Sequence, residues 1–374
     1  MRIITHVDKR ALGGRIAQAR DAAGVTQEGL GRAIGLDRTA ITSLEKAERK
    51  LSAPELVAIA GVLGRPLSFF VSDPVPAVVS RRSDTVNAHD TTQVLDVELE
   101  GFASDLRTLL EMKLATPVER AEIGVPRDHD TAEELARSTR QRIGLGDAAI
   151  HDLGEVCEWL GMYTFSAPLG EGGPDGACVE VGDASTGLAA AVINGDAPPG
   201  RRRMTLTHEL GHWLFGDAYD VQASTAGERM INSFAIHFLA PRSGILTVWR
   251  RQLDLPVLDR ALTIGASFRL SWTATIGQLK NLGLIDDDQR RVLDENEPVQ
   301  GDYRRLGLSW VDELGSPYVS PCFAAACING YVSGALTKDR VVELLRGTLA
   351  AEELPHQAPP SLDSLRNAFA GHGH

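Results

Sequence analysis

Two histidines four residues apart flank a glutamate in His208-Glu209-Leu210-Gly211-His212. On an α-helix, positions i and i+4 share a face and lie about 6 Å apart. Both imidazoles can therefore reach one zinc ion. Glu209 then projects toward a water held by the metal and can take its proton, the chemistry of a zinc-dependent hydrolase. A catalytic zinc takes three protein ligands and keeps one position open. Glu228, at the start of the next predicted helix, is the leading candidate for the third ligand; Asp217, Asp220 and His237 are lesser ones. Thr225-Ala226-Gly227-Glu228 also fits a capping box, in which Glu228 would serve the backbone of Thr225 instead of a metal. Spacing alone leaves both readings open.

The elements that must position these groups follow from periodicity. Leu206, Leu210, Leu214 and Phe215 give the histidine helix apolar packing from about Arg203 onward, and Gly216 is placed to end it. Short apolar runs at 162–165, 177–181 and 188–193 read as strands. One helix is expected over roughly 226–239 and two more within 257–285. His237, near Phe234 and Phe238, reads as a hydrogen-bonded core histidine. Arg201-Arg202-Arg203 reads as a solvated run ahead of the helix, and Cys322 and Cys327 as buried small apolar residues.

A second constellation lies near the N-terminus. Residues 12–71 form a run of short helical stripes punctuated by Gly24, Gly35 and Gly64. Thr26–Ile34 and Asp37–Lys46 are separated only by Gly35-Leu36, the layout of a helix-turn-helix. Asp37 is the expected N-cap of the second helix, with Ile41 and Leu44 facing inward. Gln27, Arg38, Thr39, Thr42 and Ser43 are then the candidate DNA-contacting residues, presented to the major groove. Arg38 could fork onto a guanine, and Thr39 or Thr42 could meet a phosphate or a thymine methyl. From Arg10 to Lys50 there are eight Lys/Arg and five Asp/Glu, a local +3 in a chain of net charge −12. That asymmetry points to a DNA contact in one domain and argues against a protein that coats nucleic acid over its whole surface.

Two family resemblances rest on these residues. Gln27…Gly35-Leu36-Asp37-Arg38-Thr39-Ala40-Ile41-Thr42…Glu45, followed by Arg49…Pro54…Leu56…Ile59-Ala60…Leu63-Gly64, resembles the Xre, or phage-repressor-like, helix-turn-helix family. Arg203-Met204-Thr205-Leu206-Thr207-His208-Glu209-Leu210-Gly211-His212, then Glu228…Asn232…Phe234-Ala235…Leu239-Ala240-Pro241, resembles the ImmA/IrrE metallopeptidase family. Met204, Ile231 and Ala240 depart from that family's usual residues at packing positions. The second resemblance implies His208, His212 and Glu228 as Zn2+ ligands and Glu209 as general base. It also implies cleavage of a repressor protein related to Xre regulators, in a stress or mobile-element response. The first implies a double-stranded DNA operator bound by a homodimer.

Composition sets the outer bounds. No apolar stretch approaches the roughly 20 residues needed to span a bilayer, and the N-terminal MRIITHVDKRALGGR lacks the apolar core of a secretory signal. Four cysteines make no disulfide framework, so a reducing cytoplasm and no membrane partner are expected. At 374 residues the chain is expected to be multidomain. An all-α helix-turn-helix domain over 8–72 is followed by a linker over 73–96. An α+β zincin-like metallopeptidase domain covers 97–285, and a mostly helical C-terminal region of unassigned role covers 286–374. The expected function is a DNA-binding transcriptional regulator with a zinc endopeptidase domain. The competing one is a non-proteolytic transcription factor or antitoxin-like repressor, using the peptidase-like fold as a ligand or metal sensor.

Overall fold

Short helices separated by left-handed glycines are what the N-terminal sequence demands, and a computed structural model of the chain contains them. It describes residues 8–65, 67–71, 89–118, 123–182, 187–216, 225–309 and 311–357. Five helices come first: α1 (Lys9–Ala22), α2 (Gln27–Ile34), α3 (Arg38–Glu45), α4 (Ala53–Leu63) and α5 (Leu67–Val71). Thr26 and Asp37 cap α2 and α3 by accepting backbone N–H groups of Gly29 and Ala40 at 3.0 and 2.6 Å. Gly35, at φ 75°, turns the chain between the two helices. Ile16, Leu30, Ile41, Leu44, Ile59 and Leu63 close a separate small core with Phe69 and Phe70.

Most of the expected linker lies outside the described residues. Its end is already helical, because α6 (His89–Glu111) begins there and not at Val97. Helices α7 (His129–Arg142) and α8 (Leu153–Trp159) lead into β1 (Met162–Ala167), β2 (Gly176–Val181) and β3 (Leu188–Asn194). Then come α9 (Pro199–Phe215), α10 (Thr225–Leu239), α11 (Arg242–Arg250), α12 (Val257–Phe268), α13 (Trp272–Asn281), α14 (Asp287–Glu295) and α15 (Gln300–Arg305). Strand β4 (Tyr318–Val319), α16 (Pro321–Val332) and α17 (Lys338–Leu344) complete the described elements. The sheet order is β2-β3-β1-β4, with β1 and β3 parallel and both other pairs antiparallel.

Alternation along β3 divides the interior in two. Ala189, Ala191 and Ile193 face the core built by α8, α9, α10 and the helices after them. Leu188, Ala190 and Val192 face Leu99, Phe102 and Leu106 of α6, together with Phe323 and Val341 from the C-terminal helices. The sheet is therefore the middle layer of a helix–sheet–helix arrangement. The region set aside at 286 is not a separate body: β4 pairs with β1, and α16 packs beside α6 in the layer covering one sheet face. Sequence missed this because β4 is two residues long, below any periodic signal.

Helix α6 holds the two parts of the chain together through buried carboxylates. Glu98 accepts from Arg65 at 2.7 Å and from Arg346 at 3.4 Å, and Glu100 is paired with Arg15. Asp105, 2% exposed, takes both Arg340 at 2.7 Å and Arg346 at 2.5 Å. Removing a buried carboxylate that two half-buried guanidiniums share leaves both charges without their partner. Asp105→Ala is therefore expected to lower unfolding free energy by about 3 kcal/mol in a denaturant titration. Glu28→Ala, which breaks an exposed pair with Arg32, should cost less than about 0.5 kcal/mol in the same assay. Equal losses would show that α6 is not held by these charges.

Candidate metal centre and nucleic-acid interface

The histidine helix starts earlier than its apolar stripe suggested, at Pro199, whose missing N–H costs nothing in a first turn. It stops at Gly216, where φ is 73° and the backbone N–H reaches the His212 carbonyl at 3.1 Å. Placed between the sheet and α10, it is buried almost all round. That overturns the solvated reading for Arg202 and Arg203, while Arg201 stays exposed. Arg202 and Arg203 are 4% and 1% exposed, paired with Asp312 and Glu313, and Arg201 is paired with Asp175. The chain between α15 and β4 supplies Asp312 and Glu313, a long-range event invisible to local patterning. The cysteine reading holds for Cys327 but not for Cys322, which is exposed at the start of α16. There the Cys322 and Phe323 N–H groups donate to buried Glu158 at 2.8 and 2.9 Å.

His208 and His212 are 1% and 2% exposed, with Nε2 atoms 3.0 Å apart. Helix α10 packs against α9 and brings Glu228 to them. Its Oε2 lies 3.2 Å from His208 Nε2, and its Oε1 lies 3.6 Å from His212 Nε2. A tetrahedral zinc with bonds of about 2.0–2.1 Å sets neighbouring donors about 3.3 Å apart. The three separations bracket that value, so the donor set fits a tetrahedral zinc with one position left over. Of the other sequence candidates, Asp217 and Asp220 lie outside the described residues, as does the Thr225 side chain of the alternative capping box. His237 is not among the converging ligand atoms.

Glu209 is completely buried, with the Cys178 thiol and the two histidines as the polar groups acting on its carboxylate. Burial pushes its carboxyl above the usual carboxylate range, while the two histidines pull the other way. A fully buried carboxylate is costly to keep, and groups so perturbed mark functional sites more often than structural ones. Asn232, one turn after Glu228, was quoted in the sequence motif without a role. Its Oδ1 lies 3.1 Å from His208 Nδ1. An acceptor there puts the imidazole proton on Nδ1 and aims the Nε2 lone pair at the triad.

The DNA-facing residues divide in two. Arg38 and Thr39, in the first turn of α3, are exposed as expected. Thr42 and Ser43 are half-buried, and Thr42 Oγ1 lies 3.0 Å from Gln27 Oε1. The Gln27 amide donates to Glu45 at 2.6 Å, and Glu45 is gripped by Arg20 at 2.6 Å. Gln27 and Thr42 therefore belong to a polar network that locks α2 to α3 behind Arg38 and Thr39. Side-chain reach across the interhelical turn, not helix periodicity, decides this.

Comparisons with known proteins divide the chain in the same way. Residues 16–70 match the helix-turn-helix family model, and residues 157–276 match that of the IrrE N-terminal-like domain, a peptidase family. An "Uncharacterized transcriptional regulator in ATPase CF(0) region" of Rhodospirillum rubrum is 39% identical over 72 residues. That stretch is 19% of this chain and 66% of the relative's length. No solved structure matches. Loss of the Asn232 acceptor is expected to weaken metal binding by about 10- to 100-fold in Asn232→Ala, read by competition with a chelator. An unchanged affinity would reduce Asn232 to a packing residue. By its two matched segments, the chain joins an Xre-type helix-turn-helix domain to an IrrE-like peptidase-family domain.

Proposed function

We propose that this protein is a DNA-binding transcriptional regulator whose second domain is a zinc-dependent endopeptidase. The observation that carries the reading is the fully buried Glu209 carboxylate, next in the chain to His208, beside three ligand atoms that lie within 4.8 Å of one another. A purely sensory metal site needs His208, His212 and Glu228 but has no use for a carboxylate kept at such cost. Bound zinc would supply Lewis acidity and an acidified water. His208, His212 and Glu228 would hold the ion, with Asn232 orienting His208. Glu209, its carboxyl raised by burial, accepts a proton from the attacking water and can return it to the departing amine. The substrate class we assign is a repressor protein related to Xre regulators, acted on in the cytoplasm in a stress or mobile-element response.

The N-terminal domain gives that activity an address. Arg38 and Thr39 present base-reading side chains at the start of α3, with Gln27, Thr42 and Ser43 behind or beside them, and a homodimer would span two half-sites of an operator. The relative in Rhodospirillum rubrum, described as a transcriptional regulator, supports this part of the reading.

Elemental analysis of purified protein is the decisive measurement. About one zinc per chain is expected in the wild type and in Glu209→Gln, and little in Glu228→Ala. Cleavage of a cognate repressor should fall by at least about 10²-fold in Glu209→Gln. Full zinc with no cleavage of any cognate repressor would leave the sensory regulator standing. For DNA, Arg38→Ala should weaken binding to a selected operator by about 1–3 kcal/mol and relax the preference at one base pair. A uniform loss across all sequences would instead assign Arg38 to phosphate.

A further inference from the structure

A cleft of about 820 Å³ opens between α7, the first turns of α9, α10 and α13. None of the proposed zinc ligands lines it. It begins beside Asn232, the side chain bonded to His208, and follows the α9–α10 seam past Met204 and Ile236 to His237 and Gln278. We propose that this cleft binds an extended peptide segment continuous with the bond presented at the metal centre, and that His237 donates a hydrogen bond to that segment. The nature of the occupant rests on the endopeptidase reading; the cleft and its donor do not.

The donor follows from a chain of fixed partners. Gln278 is 1% exposed, and its Nε2 lies 3.3 Å from the Ala240 carbonyl and 3.2 Å from His237 Nδ1. A carbonyl only accepts, so the Ala240 oxygen fixes that end of the amide as the NH2 group. The same NH2 donates to Nδ1, which must then be unprotonated, and the ring proton sits on Nε2. Burial holds His237 below its ordinary range, so the neutral ring is the form present near neutrality. Nε2 faces the Glu133 carboxylate at 3.8 Å, beyond hydrogen-bond reach, and Glu133 is engaged by Arg242 at 2.9 Å. The buried Gln278 carboxamide oxygen has no partner among the described residues, an acceptor that a peptide N–H would satisfy.

The walls fit a polypeptide better than a lipid or a nucleic acid. Acidic side chains come from α7 (Asp130 and Glu133), basic ones from α9 and α10 (Arg201 and Arg229), with apolar surface between them. The volume lies within the ~300–1,000 Å³ typical of ligand clefts, and suits several residues of extended chain. Gly277 lines the cleft, and a Cβ built there meets nothing within 4 Å. A leucine at that position would enter the cleft without colliding with the fold.

The test uses the full chain, zinc-loaded and carrying Glu209→Gln, to retain peptides from a random decapeptide library, with bound sequences identified by mass spectrometry. Adding Gly277→Leu should cut retention at least tenfold, and adding His237→Ala should cut it several-fold. Zinc content and melting temperature should stay those of the parent. Equal retention with Gly277→Leu at unchanged zinc overturns the proposal, as does a parent that retains nothing. Should Gly277→Leu fail to fold, the His237→Ala comparison decides alone. The two readings separate cleanly. Retention lost with Gly277→Leu, alongside wild-type protein that cleaves nothing, sinks the endopeptidase and keeps the cleft. Cleavage that persists with unaltered retention does the reverse.

Discussion

The close approach of α9 and α10 at Gly211 is the constraint on which the metal centre depends. A Cβ at that position would lie 2.9 Å from Ile231 and 3.4 Å from Phe234, so any larger residue forces the helices apart. With the gap closed, Phe215 and Phe234 meet edge to face at 5.0 Å, and Phe234 stacks on Phe238 at 5.6 Å. That seam sets the register between the two helices. Register in turn places Glu228 against both histidines and Asn232 against the outer nitrogen of one of them. The small residues Ala189 and Ala191 on the inner face of β3 keep the sheet clear beneath α9. The chemistry is thus held by packing, with the polar groups arriving as a consequence.

A second constraint runs through α6. Its residues serve three purposes at once: Val97 completes the small N-terminal core, Leu99 and Phe102 cover the sheet, and Glu98, Glu100 and Asp105 draw in arginines from both ends of the chain. Burial alone would raise the Glu98 carboxyl, yet Arg65 and Arg346 hold it below its ordinary value. Charges so enclosed tolerate little displacement, because moving one partner leaves the other unpaired in a poorly solvating interior. The helix-turn-helix and the metal-site layers therefore share a rigid part, which is the physical requirement for either to influence the other.

How much of this was legible beforehand differs element by element. The first four helices, the cap at Asp37, and the turn at Gly35 were readable because capping and left-handed turns are local chemistry. The three longer strands were placed to within two residues. The pairing of His208 with His212 followed from helix geometry alone, since four residues make one turn wherever the helix lies. The role of Arg202 and Arg203 was misread, as was the exposure of Cys322. Their partners come from residues that lie more than a hundred positions away in the chain.

By itself, then, the sequence determined the secondary structure, the two histidines with their glutamate, the basic face of the N-terminal helices and the resemblance to two families. Spacing could not choose whether Glu228 meets the histidines or caps its own helix. Nor could it show that Asn232 orients His208, that Gln27 and Thr42 brace α2 against α3, or that residues after 286 finish the central sheet. Each of those outcomes depends on which helix faces meet, and at what register. Interhelical register is set by the total packing of side chains scattered along the chain, so only the tertiary structure decides it.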